Sequence, residues 1–296
     1  MKGVVGVVGL GIMGGAMARN LAAGGWRVIG FDVDAARRSE LAANDVEIAN
    51  DMAALGGRTP VIITSLPSAA ALIGTARDLA VAAVEPRIIV ETSTLALDDK
   101  IRAEAMFSEA GHVCLDCPLS GTGAQAKVKD LVVYASGDAD RIAELQPLFA
   151  DFAKEVHDLG AFGNGSRMKF VANLLVAIHN VATAEAMVLG MKAGLDPKKV
   201  VELIRPGAGN SRVFELRAPM MAQNAYEPAT MKVSVWQKDM AIIGRFAAEL
   251  GCPTPLLSAT EPIYASAMAT GHAAHDTAAV CAVLEAMAGI DRERVS

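Results

Sequence analysis

The chain has 296 residues, 52% hydrophobic and 20% charged, with a formal net charge of −6. This composition is core-rich and excludes a disordered chain, and the acidic balance argues against a general nucleic-acid binder while leaving room for a local pocket that takes a small anion. Four cysteines in a chain of this length make no disulfide framework, which points to a reducing, cytoplasmic compartment, and at roughly 150 residues per domain two domains are expected.

The N-terminus, MKGVVGVVGLGIMGGAMA, has one lysine before an apolar run but is too rich in glycine for a signal peptide. The run VVGVVGL reads as a strand and residues 13–23 as the helix that follows it. Between them Gly9, Gly11 and Gly14 form G-x-G-x-x-G, completed by Leu10, Ile12 and Met13. In that setting Gly9 permits the tight turn, Gly11 lets the backbone approach a pyrophosphate, and Gly14 allows close helix–strand packing. The helix N-terminus then faces negative charge.

The next strand, RVIGFD, ends at Asp32, eighteen residues past Gly14. A carboxylate there accepts ribose hydroxyls and repels a 2′-phosphate, so NAD is expected over NADP. Arg37 and Arg38 are the nearby cations that could serve a 2′-phosphate instead, and they read more simply as exposed helix charge.

Helices over 35–43, 69–83 and 98–110 alternate with the strand runs VIITSLP and RIIVETS. Runs apolar on both faces and joined by helices argue a parallel sheet covered on both sides. HVCLDCPLS and LVVYASGD follow as strands, then a helix over 138–149 and the strand EVHDLG. Cys114 and Cys117 make a C-x-x-C without a second pair, inside an apolar strand-like run, and read as structural thiols.

After Gly165 the pattern becomes helical. Residues 166–193 form one apolar helix of about 40 Å, with Ser166 as its expected N-cap. The helix ends at Gly194, Asp196-Pro197 starts the next one, and RPGAGNS, YEPAT and GCPTP interrupt the remainder. No stretch of 18 or more uninterrupted apolar residues occurs, so no membrane span is expected. The expected architecture is α/β: a Rossmann-type doubly wound, mostly parallel sheet over 1–163, then an all-α domain over 164–296 on a long central helix, carrying the substrate cleft and the oligomer contacts.

The first turn of the long helix poses a problem. Arg167 and Lys169 stand where the dipole disfavours cations by a few tenths to about 1 kcal/mol, and a capping box would put Glu or Gln at 169. Asn173 lies four residues on, on the same face as Lys169. A lysine at the positive helix end, beside Arg167 and partly buried, is disfavoured as ammonium and so becomes a usable proton carrier. The alternative is a lysine laying its stem over apolar surface with its head in water.

With the glycine loop, four further stretches resemble the β-hydroxyacid dehydrogenases, the group of 3-hydroxyisobutyrate, tartronate semialdehyde and threonate dehydrogenases. They are SLP at 65–67, DCPLSG at 116–121, GAFGNGSRMKFVAN at 160–173 and KDM at 238–240, in the family's order and spacing. The resemblance implies an NAD(P)-dependent enzyme that interconverts a small β-hydroxyacid and its semialdehyde or keto acid. It implies Lys169 as catalytic acid/base and Asn173 as substrate holder, with Ser120, Gly121 and Thr122 as the carboxylate-binding loop. Leu66, Pro67 and Thr94 are implied beside the nicotinamide ribose, and Lys238 as a cofactor contact.

Thr122 replaces the glycine that most members carry, and Thr230 stands where many have an aromatic; both changes lie where substrate identity would be read. A homodimer or homotetramer is implied as well. An imine reductase-like enzyme and a non-catalytic NAD-binding scaffold share the architecture; Lys169 counts against the first, and Lys169 with Asn173 against the second. No metal site is expected: His272, His275 and Asp276 read as helix packing or pocket rim, and His179 as a core or interface residue.

Overall fold

The computed structural model describes residues 2–82 and 84–292. It divides into two compact units, Met1–Lys169 and Phe170–Ser296.

The first unit opens with β1 (Val4–Val8), α1 (Ile12–Ala23), β2 (Arg27–Phe31), α2 (Ala35–Ala42), β3 (Glu47–Ile48), α3 (Met52–Gly56), β4 (Val61–Thr64), α4 (Ala69–Ala82), β5 (Ile88–Glu91), α5 (Leu97–Glu109) and β6 (Val113–Asp116). The six strands pair in parallel in the order β3-β2-β1-β4-β5-β6. The strand order reverses between β1 and β4, and the carboxyl ends at such a switch point are where open α/β sheets bind ligands.

Alternation along the strands assigns the side chains to two cores. Val5, Val7, Ile63, Val90 and Leu115 pack with Met17 and Leu21 of α1, whereas Ile29, Ile62 and Ile89 pack with Leu55, Leu72, Leu79 and Phe107 of α3, α4 and α5. Truncating one of these to alanine costs about 2–5 kcal/mol. The expected doubly wound parallel sheet is therefore present. β3 and α3 are additions to the sequence reading, and residue 83 of the expected 69–83 helix lies outside the described residues.

Next come β7 (Leu119–Ser120), α6 (Gly123–Lys127), β8 (Val132–Ala135), α7 (Ala139–Glu144), α8 (Gln146–Phe149) and β9 (Glu155–Asp158). These strands form a separate sheet, with β7 antiparallel to β8 and β8 parallel to β9. The single helix expected over 138–149 is two helices: Pro147, in the first turn of α8, has no N–H to continue α7.

α9 (Asn164–Lys192) spans the division at Lys169 as one continuous helix of 29 residues. It starts two residues before Ser166, so Ser166 is not its N-cap. Gly163 precedes it at φ +92°, and Ser166 is inside the first turn with a partner elsewhere. By length and composition α9 could cross a membrane, but half of its apolar stretch is buried inside the chain, as a core helix would be.

The second unit continues with α10 (Pro197–Ile204), α11 (Arg212–Gln223), α12 (Val233–Glu249), α13 (Pro255–Ala269) and α14 (Val280–Met287). Its core includes Phe170 against Phe246, ring centroids 5.1 Å apart, and Tyr264, whose hydroxyl accepts from Asn180 at 2.9 Å.

One buried carboxylate organises much of this unit. Asp276, fully buried, accepts from the Thr230 amide at 2.8 Å and its hydroxyl at 2.7 Å, from the Met231 and Ala278 amides, and from Arg217 Nε at 3.3 Å. Burial works to raise its pKa, but Arg217 and these donors hold it below the ordinary aspartate value. The GHAAHD stretch is thus a packing device: His272 and His275 face each other through their Nδ1 atoms at 2.9 Å, and Asp276 is committed to its own donors.

Candidate active site

The glycine loop follows β1, and each glycine has its own structural reason. Gly9 has φ +88°, and a Cβ there would stand 2.2 Å from the Ser65 carbonyl oxygen. A Cβ on Gly14 would stand 1.8 Å from the Gly9 oxygen, so close helix–strand contact requires glycine. A Cβ on Gly11 would meet nothing within 4 Å. Gly11 is therefore spared a side chain for the benefit of space above the loop.

It is also the N-cap of α1, with no side-chain cap and no acidic residue in the first turn. The first amides of that helix are thus open to an anion. Ile12, 59% exposed, and half-buried Met13 begin the helix.

Asp32 follows β2 directly. Its Oδ2 accepts the Leu10 amide at 2.7 Å and its Oδ1 the Asp34 amide at 2.8 Å. Arg37 pairs with Glu40 at 3.1 Å, and Arg38 donates to the carbonyls of Asp32 and Val33. Both arginines thus have partners on their own side of the turn. Open helix amides, a bare glycine and a carboxylate at the end of β2 fit a nicotinamide dinucleotide.

Leu66 and Pro67 follow β4, Thr94 lies three residues beyond β5, and the Leu66 amide donates to Ser93 Oγ at 2.8 Å, joining the two turns. The structure therefore brings Gly9–Gly14, Asp32, Leu66, Pro67 and Thr94 to the carboxyl edge of one parallel sheet.

The 120–122 loop leaves β7. Gly121 has φ +138°, and a Cβ there would lie 2.6 Å from Leu131 Cδ2. Thr122 is the N-cap of α6 in a capping box with Gln125: its amide donates to Gln125 Oε1 at 3.0 Å, and its hydroxyl lies 3.2 Å from the same oxygen. That hydroxyl is engaged within the loop.

Lys169 lies in the second turn of α9 and is 8% exposed, while Asn173, one turn on, is 4% exposed. Arg167, expected to depress the lysine, turns outward to Asn164 Oδ1 at 2.8 Å. In the second unit the Asn173 amide donates to Asp239 Oδ2 at 3.0 Å, and Asp239 Oδ1 lies 3.4 Å from Lys238 Nζ, both on α12. Asp239 is a residue that the sequence reading passes over, although it is the neighbour of Lys238 in KDM.

Other sequence candidates stand apart from this chemistry. The Cys114 and Cys117 thiols are buried and unpaired, and burial pushes both well above the ordinary thiol value. No group of three His, Cys, Asp or Glu side chains able to hold a metal occurs among the described residues. His179 borders a cavity of about 260 Å³ in the second unit, lined also by Thr183, Ile204 and Phe214.

Residues 4–160 match the family model for the NAD binding domain of 6-phosphogluconate dehydrogenase. Residues 163–284 match that for the NAD-binding of NADP-dependent 3-hydroxyisobutyrate dehydrogenase. An L-threonate dehydrogenase of Cupriavidus necator is 32% identical over 283 residues, covering 93% of this chain and 94% of that protein. A Mycobacterium tuberculosis 3-hydroxyisobutyrate dehydrogenase solved with L-serine is similar at TM-score 0.87 and 28% identity, over 96% of this chain and 99% of that one. An imine reductase from Pseudomonas sp. is more distant, at TM-score 0.61 and 18% identity over 95% and 98%, and shares the fold alone.

Proposed function

This chain belongs to the β-hydroxyacid dehydrogenase family, NAD(P)-dependent oxidoreductases of hydroxy acids and semialdehydes, and on that premise we propose how its residues divide the reaction and which acid they take. The observation that carries the assignment is a buried lysine near the start of α9, one turn before a buried asparagine whose amide is held by Asp239.

In the oxidative direction the Lys169 amine takes the hydroxyl proton; in the reductive direction its ammonium returns that proton to the carbonyl oxygen. Nicotinamide, when bound, accepts or supplies the hydride. Asn173, with its NH₂ group turned to Asp239, keeps its amide oxygen for the substrate. Ser120 and the Gly121 backbone receive the carboxylate: an anion leaving water must recover its hydrogen bonds or pay several kcal/mol, and a glycine backbone allows the approach. Asp32 selects NAD by accepting the ribose hydroxyls, and Lys238 contributes a cation to the cofactor.

The substrate we assign is a small polyhydroxylated acid of the threonate kind. The 32% identity to an L-threonate dehydrogenase supports it. The test is a panel of threonate, glycerate, serine, 3-hydroxyisobutyrate and tartronate semialdehyde, each with NAD and NADP (NADH and NADPH for the semialdehyde), followed by nicotinamide absorbance. Highest kcat/KM on 3-hydroxyisobutyrate would overturn the substrate assignment.

The protein is further assigned to the cytoplasm, in keeping with its free cysteines, and to a homodimer or homotetramer built through the helical unit. Val171, Leu175 and Leu189 of α9 are exposed, and an open hollow of about 370 Å³ between α9 and α14 is lined by Val188, Leu189, Leu284 and Met287. Apolar surface of this kind is normally covered by a partner. A 30.7 kDa species in sedimentation at micromolar concentration would refute the oligomer.

A further inference from the structure

A buried charge cluster in the first unit has no part in the chemistry above. Lys100 of α5 has a fully buried side chain; its ammonium lies 2.5 Å from Glu91 Oε2 at the end of β5 and 2.5 Å from Asp116 Oδ1 at the end of β6. It also donates to the Ser93 carbonyl at 3.0 Å. Burial works to lower its pKa, but the charges of Asp116 and Glu91, and its hydrogen bonds to both, raise it above the ordinary lysine value. One cation therefore faces two carboxylates. Such buried groups contribute little net stability compared with apolar residues of similar volume, so the cluster calls for a reason other than adhesion.

What the cluster holds is the start of α9. Asp116 Oδ2 accepts the Ser166 amide at 2.7 Å, and Oδ1 accepts the Ser166 hydroxyl at 2.8 Å. The Ser136 hydroxyl accepts the Gly165 amide at 2.9 Å and is itself 3.3 Å from Asp116 Oδ2. Two first-turn amides, which have no partner within a helix, thus end on side chains of the sheet. A Cβ on Gly165 would stand 2.2 Å from the Tyr134 carbonyl oxygen and 2.7 Å from that of Asp116, so the helix is seated directly on the strand ends. Ser166 precedes Lys169 by three residues, which places the two on one face of the helix.

We propose that Asp116, held between Lys100 and the first turn of α9, is a positioning residue for Lys169, fixing the rotation and start of the helix through Ser166. The proposal rests on the reading of Lys169 as acid/base. It accounts for a charged cluster at the foot of this helix: a carboxylate bonded to both donors of one serine defines an angle, which apolar packing does not. Displacement of a catalytic group by about 1 Å costs on the order of 100-fold in rate, so loosening this seat should act on turnover rather than on binding.

The experiment compares Ser166→Ala, Asp116→Asn, the double variant and Lys169→Ala, with saturating NAD and the best acid of the panel. Ser166→Ala is expected to lower kcat about tenfold, with KM for acid and for NAD within twofold of wild type. On a double-mutant cycle in kcat, adding Ser166→Ala to Asp116→Asn should cost nothing further, because both act through one contact. A folded Ser166→Ala enzyme with wild-type kcat, or additive effects in the cycle, would overturn the proposal. If Asp116→Asn does not fold, the kcat-against-KM division in Ser166→Ala decides alone. Lys169→Ala retaining more than a tenth of the activity overturns the acid/base reading and this proposal together. With Lys169→Ala inactive, an unaffected Ser166→Ala overturns the positioning role only.

Discussion

The Leu10 amide donates to Asp32 Oδ2 at 2.7 Å, so the carboxylate proposed to read the ribose also ties the glycine loop to the end of β2. Asp32→Asn can still accept from Leu10 but no longer repels a phosphate. It should weaken NAD about tenfold, in line with the ~1.5–3 kcal/mol of hydrogen bonds to charged groups, and narrow the preference for NAD over NADP. Titration of each cofactor by fluorescence checks this. A wild-type enzyme that prefers NADP would mean that Arg37 leaves Glu40, or Arg38 leaves its carbonyls, to bind the 2′-phosphate.

Gly11 and Gly14 should separate by phenotype. Gly11→Ala adds a methyl group to open space at an ordinary φ of −66°, so its melting temperature should stay within about 2 °C of wild type while NAD affinity falls roughly tenfold. Gly14→Ala drives a methyl group into the Gly9 oxygen and should lose about 1–3 kcal/mol of stability without cofactor present. Equal melting temperatures for the two variants would remove the distinction.

Lys169→Ala should lower kcat by roughly 10²–10⁴-fold, the ordinary contribution of a general acid/base, with the NAD dissociation constant within about twofold of wild type. A parallel loss of NAD binding would recast the lysine as a cofactor ligand.

His112 gives the first unit an acid-sensitive stability term. It is buried, and its Nδ1 accepts the Arg87 amide at 3.1 Å, a bond that protonation there would abolish. Burial, with the Arg87 charge, holds its pKa below the ordinary 6.5. A depressed histidine contributes stability that is complete above pH 6.5 and is lost as the pH falls through the folded value, at no more than about 1.4 kcal/mol per pH unit. His112→Asn keeps an acceptor but does not titrate. Urea denaturation between pH 6.5 and 5 should show a shallower decline for the variant than for wild type; identical slopes would assign the loss to other groups.

The legible parts of the fold are those with local periodicity. β1, β2, β4 and β5 are apolar on both faces and bounded by helices, which is visible in any short window. β3, with two residues, and α3, with five, are too short to show a period. Ser166 looks like a helix cap because capping signals are local, whereas its real partner, Asp116, lies fifty residues earlier in the chain. Lys100, in LDDKIRAEAMF, is indistinguishable from a solvated helix lysine until β5 and β6 place two carboxylates against it. The glycine loop and Lys169 are legible because their chemistry is written in contiguous residues. Asp239 was within reach as the neighbour of Lys238, and only its bond to Asn173 reveals its use.

Asp276 has a consequence in time. Its partners Arg217 and Thr230 are made 59 and 46 residues before it. At roughly 5–20 residues per second the ribosome delivers Arg217 about 3–12 s ahead of the carboxylate that neutralises it. Through that interval the guanidinium must stay in water, because burying it alone would cost several kcal/mol. α11 and the segment leading into α12 therefore wait for Asp276 before they can close, so nascent second units are open to proteases and chaperones until that residue has been made.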